Sequence, residues 1–220
     1  MFICRAIFAF LLVIFAASCT YQGASDNPVA RKFTWFSYIN GDDIRKACAS
    51  LGGDRYRFVY NGIYQYQTRT YDVFGLSKKL SMQVRGPSNL KKLDIQDFFA
   101  PWRGVSEQLQ VSDKVLAHLK KALIESAALQ PPPQGLRLYS DQFYWTVIAC
   151  VEGDIYFNAY KWPSQRWDQI LFDDVLLSLD VTGVPFEEPR VLSTLDIWGS
   201  LSDANPFLIQ VGQNGLVGFE

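Results

Sequence analysis

The chain has 220 residues, with 21 Lys and Arg against 22 Asp and Glu and a formal net charge of −1. That balance lacks the basic surplus that would draw a protein to nucleic acid, so no nucleic-acid partner is expected. A hydrophobic share of 49% without an acidic run fits a globular chain rather than a disordered one.

Met1 to Arg5 carries one positive charge, Ala6 to Phe15 is an unbroken apolar run, and Ala16-Ala17-Ser18 supplies small side chains before Cys19. This is the layout of a secretory signal. At about 1.5 Å per residue the stretch from Ala6 to Ser18 would span roughly 20 Å as a helix, short of the roughly 30 Å of a bilayer's hydrocarbon core. By layout alone the segment is a plain secretory signal or, less comfortably, an uncleaved anchor.

The stretch Ala16-Ala17-Ser18-Cys19 resembles the lipobox of bacterial lipoproteins, with Ala16 where Leu is commoner in that family. The resemblance covers the leader only. It implies cleavage after Ser18 and a lipid on Cys19, the new N-terminus. Thr20, rather than aspartate, follows that cysteine. In Gram-negative lipoproteins this favours the periplasmic face of the outer membrane. The membrane, reached through the lipid on Cys19, is then one partner. Cleavage removes one basic and no acidic residue, so the mature chain stays near neutral.

Three regions are expected: a signal peptide over 1–18, an acylated cysteine with a flexible tether over 19–30, and one globular domain over 31–220. The tether sequence "TYQGASDNPVA" is polar, carries Gly and Pro, and has no periodicity. With Cys4 in the leader and Cys19 lipidated, Cys48 and Cys150 remain. In an oxidising compartment they form a candidate disulfide closing a loop of about 100 residues; the other reading is two separate buried thiols, which pack as small hydrophobes.

The stretch "RKFTWFSYIN" alternates aromatic and polar residues and reads as a strand, with Phe33, Trp35 and Phe36 directed to the core. Asn40-Gly41-Asp42-Asp43 then precedes a short helix, capped by an Asp and ended by Gly52-Gly53. In "DRYRFVYNGIYQYQTRTYDVF" two alternating runs flank Asn61-Gly62, a dipeptide suited to a two-residue type I′ hairpin. That turn sets Tyr56, Phe58, Tyr60 and Ile63 on one face, and Arg55, Arg57, Tyr64 and Tyr66 on the other. The second face is either a ligand platform of aromatic rings and guanidinium groups or a self-stabilising set of cross-strand pairs.

"KLSMQVRG" continues the sheet, and "DIQDFFAPWRGVSEQLQ" reads as an irregular connection. Ser112 opens an amphipathic helix with Val115, Leu116, Leu119, Ala122, Leu123 and Ala127 on its apolar stripe and Lys114, His118, Lys121 and Glu125 opposite. Pro131-Pro132-Pro133 stops it. Two long antiparallel strands follow, turning near Glu152-Gly153-Asp154, while "LFDDVLLSLDVTG" reads as a strand or a short helix. "PFLIQVGQNGLVGFE" repeats the Asn-Gly hairpin. The expected fold is α+β: mainly antiparallel sheet with Asn-Gly hairpins and one main amphipathic helix packed on it.

His118 is the single histidine, and it lies between lysines on a polar helix face, which suits a solvated residue better than a base or a metal ligand. The acidic pairs Asp42-Asp43, Glu152 with Asp154, Asp173-Asp174 and Glu187-Glu188 fit caps and turns. There is no phosphate-cradling loop, nucleophile elbow, HExxH or CxxC. No cofactor or metal is implied. The expectation is a lipid-anchored envelope protein with a non-catalytic binding or scaffolding domain. Its partner would be an envelope protein, a glycan or a lipid. The alternatives are a glycan- or lipid-binding module using aromatic sheet faces and a carboxylate hydrolase of envelope polymers.

Overall fold

The computed structural model describes residues 28–64, 66–86, 104–193 and 207–219; the leader, Cys19 and most of the expected tether lie outside them. Helix α1 (Pro28–Asn40) comes first, beginning three residues before the expected domain start, and helix α2 (Asp42–Ala47) follows after Gly41. The expectation of a strand over 31–40 is therefore corrected. The aromatic alternation there is broken by the adjacent Trp35 and Phe36, and the residues that go to the core are Trp35, Tyr38 and Ile39, spaced as one face of a helix. The expected Asp cap is also corrected. Gly41 is the N-cap of α2, at φ 68°, and Asp42 and Asp43 occupy the first turn, where they face the positive end of the helix dipole. A Cβ on Gly41 would lie 2.7 Å from Ile148 Cδ1, so both the backbone angle and the close approach call for glycine.

Strands β1 (Arg55–Gly62), β2 (Gln67–Phe74), β3 (Lys79–Arg85) and β4 (Val105–Gln110) form a meander, helix α3 (Asp113–Glu125) follows, and β5 (Arg137–Tyr139) leads into β6 (Phe143–Val151) and β7 (Asp154–Lys161). Helix α4 (Phe172–Ser178), an irregular strap over 179–193, and strands β8 (Leu208–Val211) and β9 (Leu216–Phe219) complete the described chain. The main sheet has six strands in the order β4-β3-β2-β1-β6-β7, every neighbour antiparallel, and a second sheet has the order β5-β8-β9. This is a mainly antiparallel α+β fold. Val105–Gln110, expected to be irregular, is the edge strand beside β3, with Leu109 opposite Leu80. Ser112 caps α3 as expected, its hydroxyl accepting from Val115 N.

Neither Asn-Gly pair forms the expected two-residue hairpin. Asn61 and Gly62 remain inside β1, paired with Thr68 and Gln67 on one side and with Tyr144 and Phe143 on the other. The chain reverses between Gly62 and Gln67 instead, with Ile63 at φ 60°. The pull on Asn61 is specific: its side-chain amide donates to Ser140 O at 3.0 Å and Gln142 O at 2.6 Å, which favours the extended position over a turn. At the C-terminal hairpin Val211 pairs with Leu216, so residues 212–215 make a four-residue connection, closed by Gly212 N donating to Gly215 O.

Each face of the main sheet carries its own core. On the first face Tyr56, Phe58, Tyr60, Tyr71 and Trp145 meet Leu119 and Leu123 of α3 and Phe172 and Leu176 of α4. Phe172 is the hub: its ring lies 5.2 Å from Phe58, 5.7 Å from Trp145 and 5.5 Å from Tyr160. On the second face Val59, Tyr144, Ile148 and Phe157 meet Trp35 and Ile39 of α1, Ile44 of α2, and Leu138, Ile209 and Val211 of the small sheet. Strands β1 and β6 are buried along their whole length as a result.

Cys48 and Cys150 are bonded, with a Cα–Cα distance of 5.6 Å and a sequence separation of 102. The bond fastens the turn after α2 to β6 on the second face. Cross-linking so long a loop is worth about 4 to 5 kcal/mol in the chain-entropy account. The Cys48→Ser, Cys150→Ser double variant is expected to lose up to that amount in urea unfolding. Reductant should bring the parent chain to the same midpoint and leave the variant unchanged.

Candidate functional site

The four residues expected to share a ligand face do not converge on an open surface. Arg55 and Arg57 lie on the second face beneath α1 and α2, and Arg57 is only 2% exposed. Tyr64 shares that side, its ring 5.8 Å from Trp35 and 5.0 Å from Phe207, whereas Tyr66 packs against the opposite core. The displaced turn is the cause: with Asn61-Gly62 kept in the strand, Tyr64 and Tyr66 fall in the loop rather than in a ladder with the arginines.

The arginines are held by acids instead. Arg57 donates from Nη1 and Nη2 to the two oxygens of Asp43, each at 2.8 Å, from Nε to Asp72 Oδ1 at 2.9 Å, and from Nη1 to Tyr38 O at 3.1 Å. Its guanidinium carbon lies 3.9 Å from the centre of the Tyr38 ring. Arg55 donates to Asp72 Oδ1 at 2.9 Å and lies over the Phe74 ring at 3.4 Å, and the Tyr38 hydroxyl donates to Asp72 Oδ2 at 2.9 Å. Burial works against the Arg57 charge, but Asp72, Tyr38 and Asp43 outweigh it and hold its pKa above the ordinary arginine value. The network is charge-balanced, and what it does chemically is lock α1 and α2 to the sheet.

A second constellation lines a cavity of about 400 Å³ between α3 and the β2–β3 turn, with Gly53, Tyr56, Gly75, Leu76, Leu116 and Lys120 among its walls. Lys120 Nζ lies 3.1 Å from both Asp54 Oδ2 and Glu152 Oε1, and the Tyr56 hydroxyl donates to Asp54 Oδ2 at 2.7 Å. Burial opposes the Asp54 charge, yet the hydrogen bonds from Tyr56 and Lys120 carry its carboxyl below the usual range. Gly75 is required here because a Cβ would sit 2.6 Å from Asp54 O.

The third lies beneath the strap. Arg69, 1% exposed, donates from Nη1 to Asp180 Oδ2 at 2.5 Å and from Nη2 to Val184 O. The Tyr71 hydroxyl donates to the same Asp180 oxygen at 2.6 Å. Burial raises the Asp180 carboxyl, but hydrogen bonds from Thr182 and Tyr71 and the Arg69 charge leave it below the usual carboxylate range. Sequence reading passed over this pair. The available signal was the period-2 alternation of "QTRTYDVF", which sets Arg69 on the inward face with Tyr71 and Val73; nothing local identifies a partner 111 residues away.

The acidic pairs are used separately. Asp42 accepts from Ser37 Oγ and Asn40 Nδ2, both at 2.6 Å, and Glu187 pairs with Arg190. Asp173 stands in the first turn of α4, its carboxyl raised by burial. Lys114, His118, Lys121 and Glu125 occupy the exposed side of α3. No three of His, Cys, Asp and Glu cluster for a metal ion among the described residues. Compared with known proteins, the chain matches no family model and no curated protein.

Asp72→Ala takes the bonded carboxylate from Arg55 and one of the two from Arg57, which keeps Asp43, and the expected loss is about 3 kcal/mol in urea unfolding at neutral pH, against about 1 kcal/mol for Tyr38→Phe. A carboxyl with a depressed folded pKa contributes stability above the unfolded value of about 3.9 and loses it as pH falls through the folded value. Stability is therefore expected to drop as pH falls below about 4, where the unfolded chain takes up the proton first. Asp180→Asn should be weaker at pH 7 and show a shallower acid loss in unfolding midpoints between pH 7 and 2.

Proposed function

We propose that this chain is an envelope lipoprotein: residues 1–18 are removed, Cys19 carries the lipid, and the folded part is a binding or scaffolding module on the periplasmic side of the outer membrane. The observation that carries the reading is the Cys48–Cys150 bond. Such a bond persists in oxidising compartments and is rare in a reducing cytosol. It consumes both cysteines of the folded part, so Cys19 is the thiol left for acylation after the leader is gone. Among the described residues no helix is long and apolar enough to cross a membrane, and attachment through several acyl chains at one terminus is consistent with that.

A binding or scaffolding role is supported by the way charges on different elements are tied together, buried at the arginines and part-exposed at Lys120. Arg57 is matched by Asp43 and Asp72, Arg69 by Asp180, and Lys120 by Asp54 and Glu152. These ties fasten α2, α3 and the strap to the sheet and hold its outer surfaces in fixed relation. The full chain expressed in a Gram-negative host and fed an alkyne fatty acid should carry label and sediment with outer membrane. Cys19→Ala should lose the label and leave the membrane fraction; a variant that keeps either would sink the assignment.

A further inference from the structure

The strap over 179–193 contains no helix or strand, yet its backbone is read in detail by side chains of β1 and β2. Gln67 Nε2 donates to Pro185 O at 2.8 Å while Gln67 Oε1 accepts from Glu187 N at 3.0 Å, the pattern by which one amide side chain engages an extended peptide. The Tyr60 hydroxyl donates to Glu187 O, and the Phe186 ring lies 4.6 Å from that of Tyr60. Arg69 fixes the carboxylate of Asp180 and the carbonyl of Val184, and its Nε donates to Gln67 Oε1 at 2.8 Å, which holds the two readers in place relative to each other.

A carboxylate clamp, a main-chain reader and an aromatic anchor are the elements of peptide recognition. All of them sit on rigid, buried strands, while Val181, Gly183, Pro185 and Glu188 of the strap are exposed. Trp145 Nε1 is buried without a hydrogen-bond partner, and its ring lies 4.9 Å from Tyr60 and 6.2 Å from Tyr71.

We propose that this face of β1 and β2 is a peptide-recognition groove, filled in this structure by the chain's own strap. It accepts from a partner protein an extended acidic segment with an aromatic residue six positions after the carboxylate, as Phe186 follows Asp180. The partner segment displaces the strap, takes the Arg69–Tyr71 clamp with its carboxylate and seats its ring on Tyr60. This rests on the binding-module reading above and gives that module its site.

The test uses the full chain with the strap weakened by Asp180→Ala and Phe186→Ala, and a fluorescein-labelled peptide of residues 178–190 as probe. Saturable binding, at least tenfold tighter than to the parent chain in anisotropy titrations, is expected. A peptide with Asn for its first acid and Ala for its ring should lose at least tenfold. A weakened chain that unfolds cooperatively but does not bind the probe overturns the proposal. Should that variant fail to fold, hydrogen exchange of the Glu187 amide in the parent chain decides. Exchange by local opening, insensitive to low denaturant, supports the groove; exchange only through global unfolding overturns it. Neither outcome alters the fatty-acid labelling of Cys19, so loss of the groove and loss of the lipoprotein reading are read separately.

Discussion

Strands β1 and β6 are covered on both faces, and every charge they or their neighbours send inward must be neutralised inside the fold. An isolated buried guanidinium would cost several kcal/mol, so each inward arginine dictates where an acid must come from. Arg57 draws Asp43 from α2 and Asp72 from β2, which places the helical layer on the second face. Arg69 draws Asp180 from the start of the strap, two residues past α4, which lays the strap across the first. The two layers that sandwich the sheet are thus positioned by polar contacts and filled in by the aromatic cores, with the Cys48–Cys150 bond closing the second side.

Where one physical signal dominated, sequence and structure agree. The helix opened by Ser112 has a cap, an apolar stripe and a polar face, and β6 and β7 alternate around a Gly-containing turn. The burial of β6 on both faces has its source in the sequence, where Phe143, Trp145, Val147 and Ala149 alternate with a set that includes Tyr144, Ile148 and Cys150. Cys48 and Cys150 were readable as a candidate pair beside the reading of two separate buried thiols, and they are bonded.

Elsewhere local signals competed and a distant contact decided. Aromatic alternation over 33–38 suggested a strand, but Trp35, Tyr38 and Ile39 also fit a helical face, and the second-face core selects the helix. Asn61-Gly62 carries a strong turn preference, overridden by hydrogen bonds from Asn61 to carbonyls some 80 residues on. For the candidate sites the limit is sharper. Arg55, Arg57 and Arg69 were visible as inward or outward positions of a strand, while their acids lie on elements whose placement no local pattern encodes.

β1 has β2 as one neighbour a few residues later, but its other neighbour, β6, begins only at Phe143. Through the interval in which the intervening chain emerges, a strand buried along its whole length in the finished sheet has an unpaired edge, a template for any other extended chain. Arg55 and Arg57 of that strand have their acids, Asp43 and Asp72, in chain made before β6, so their ties need not wait for it.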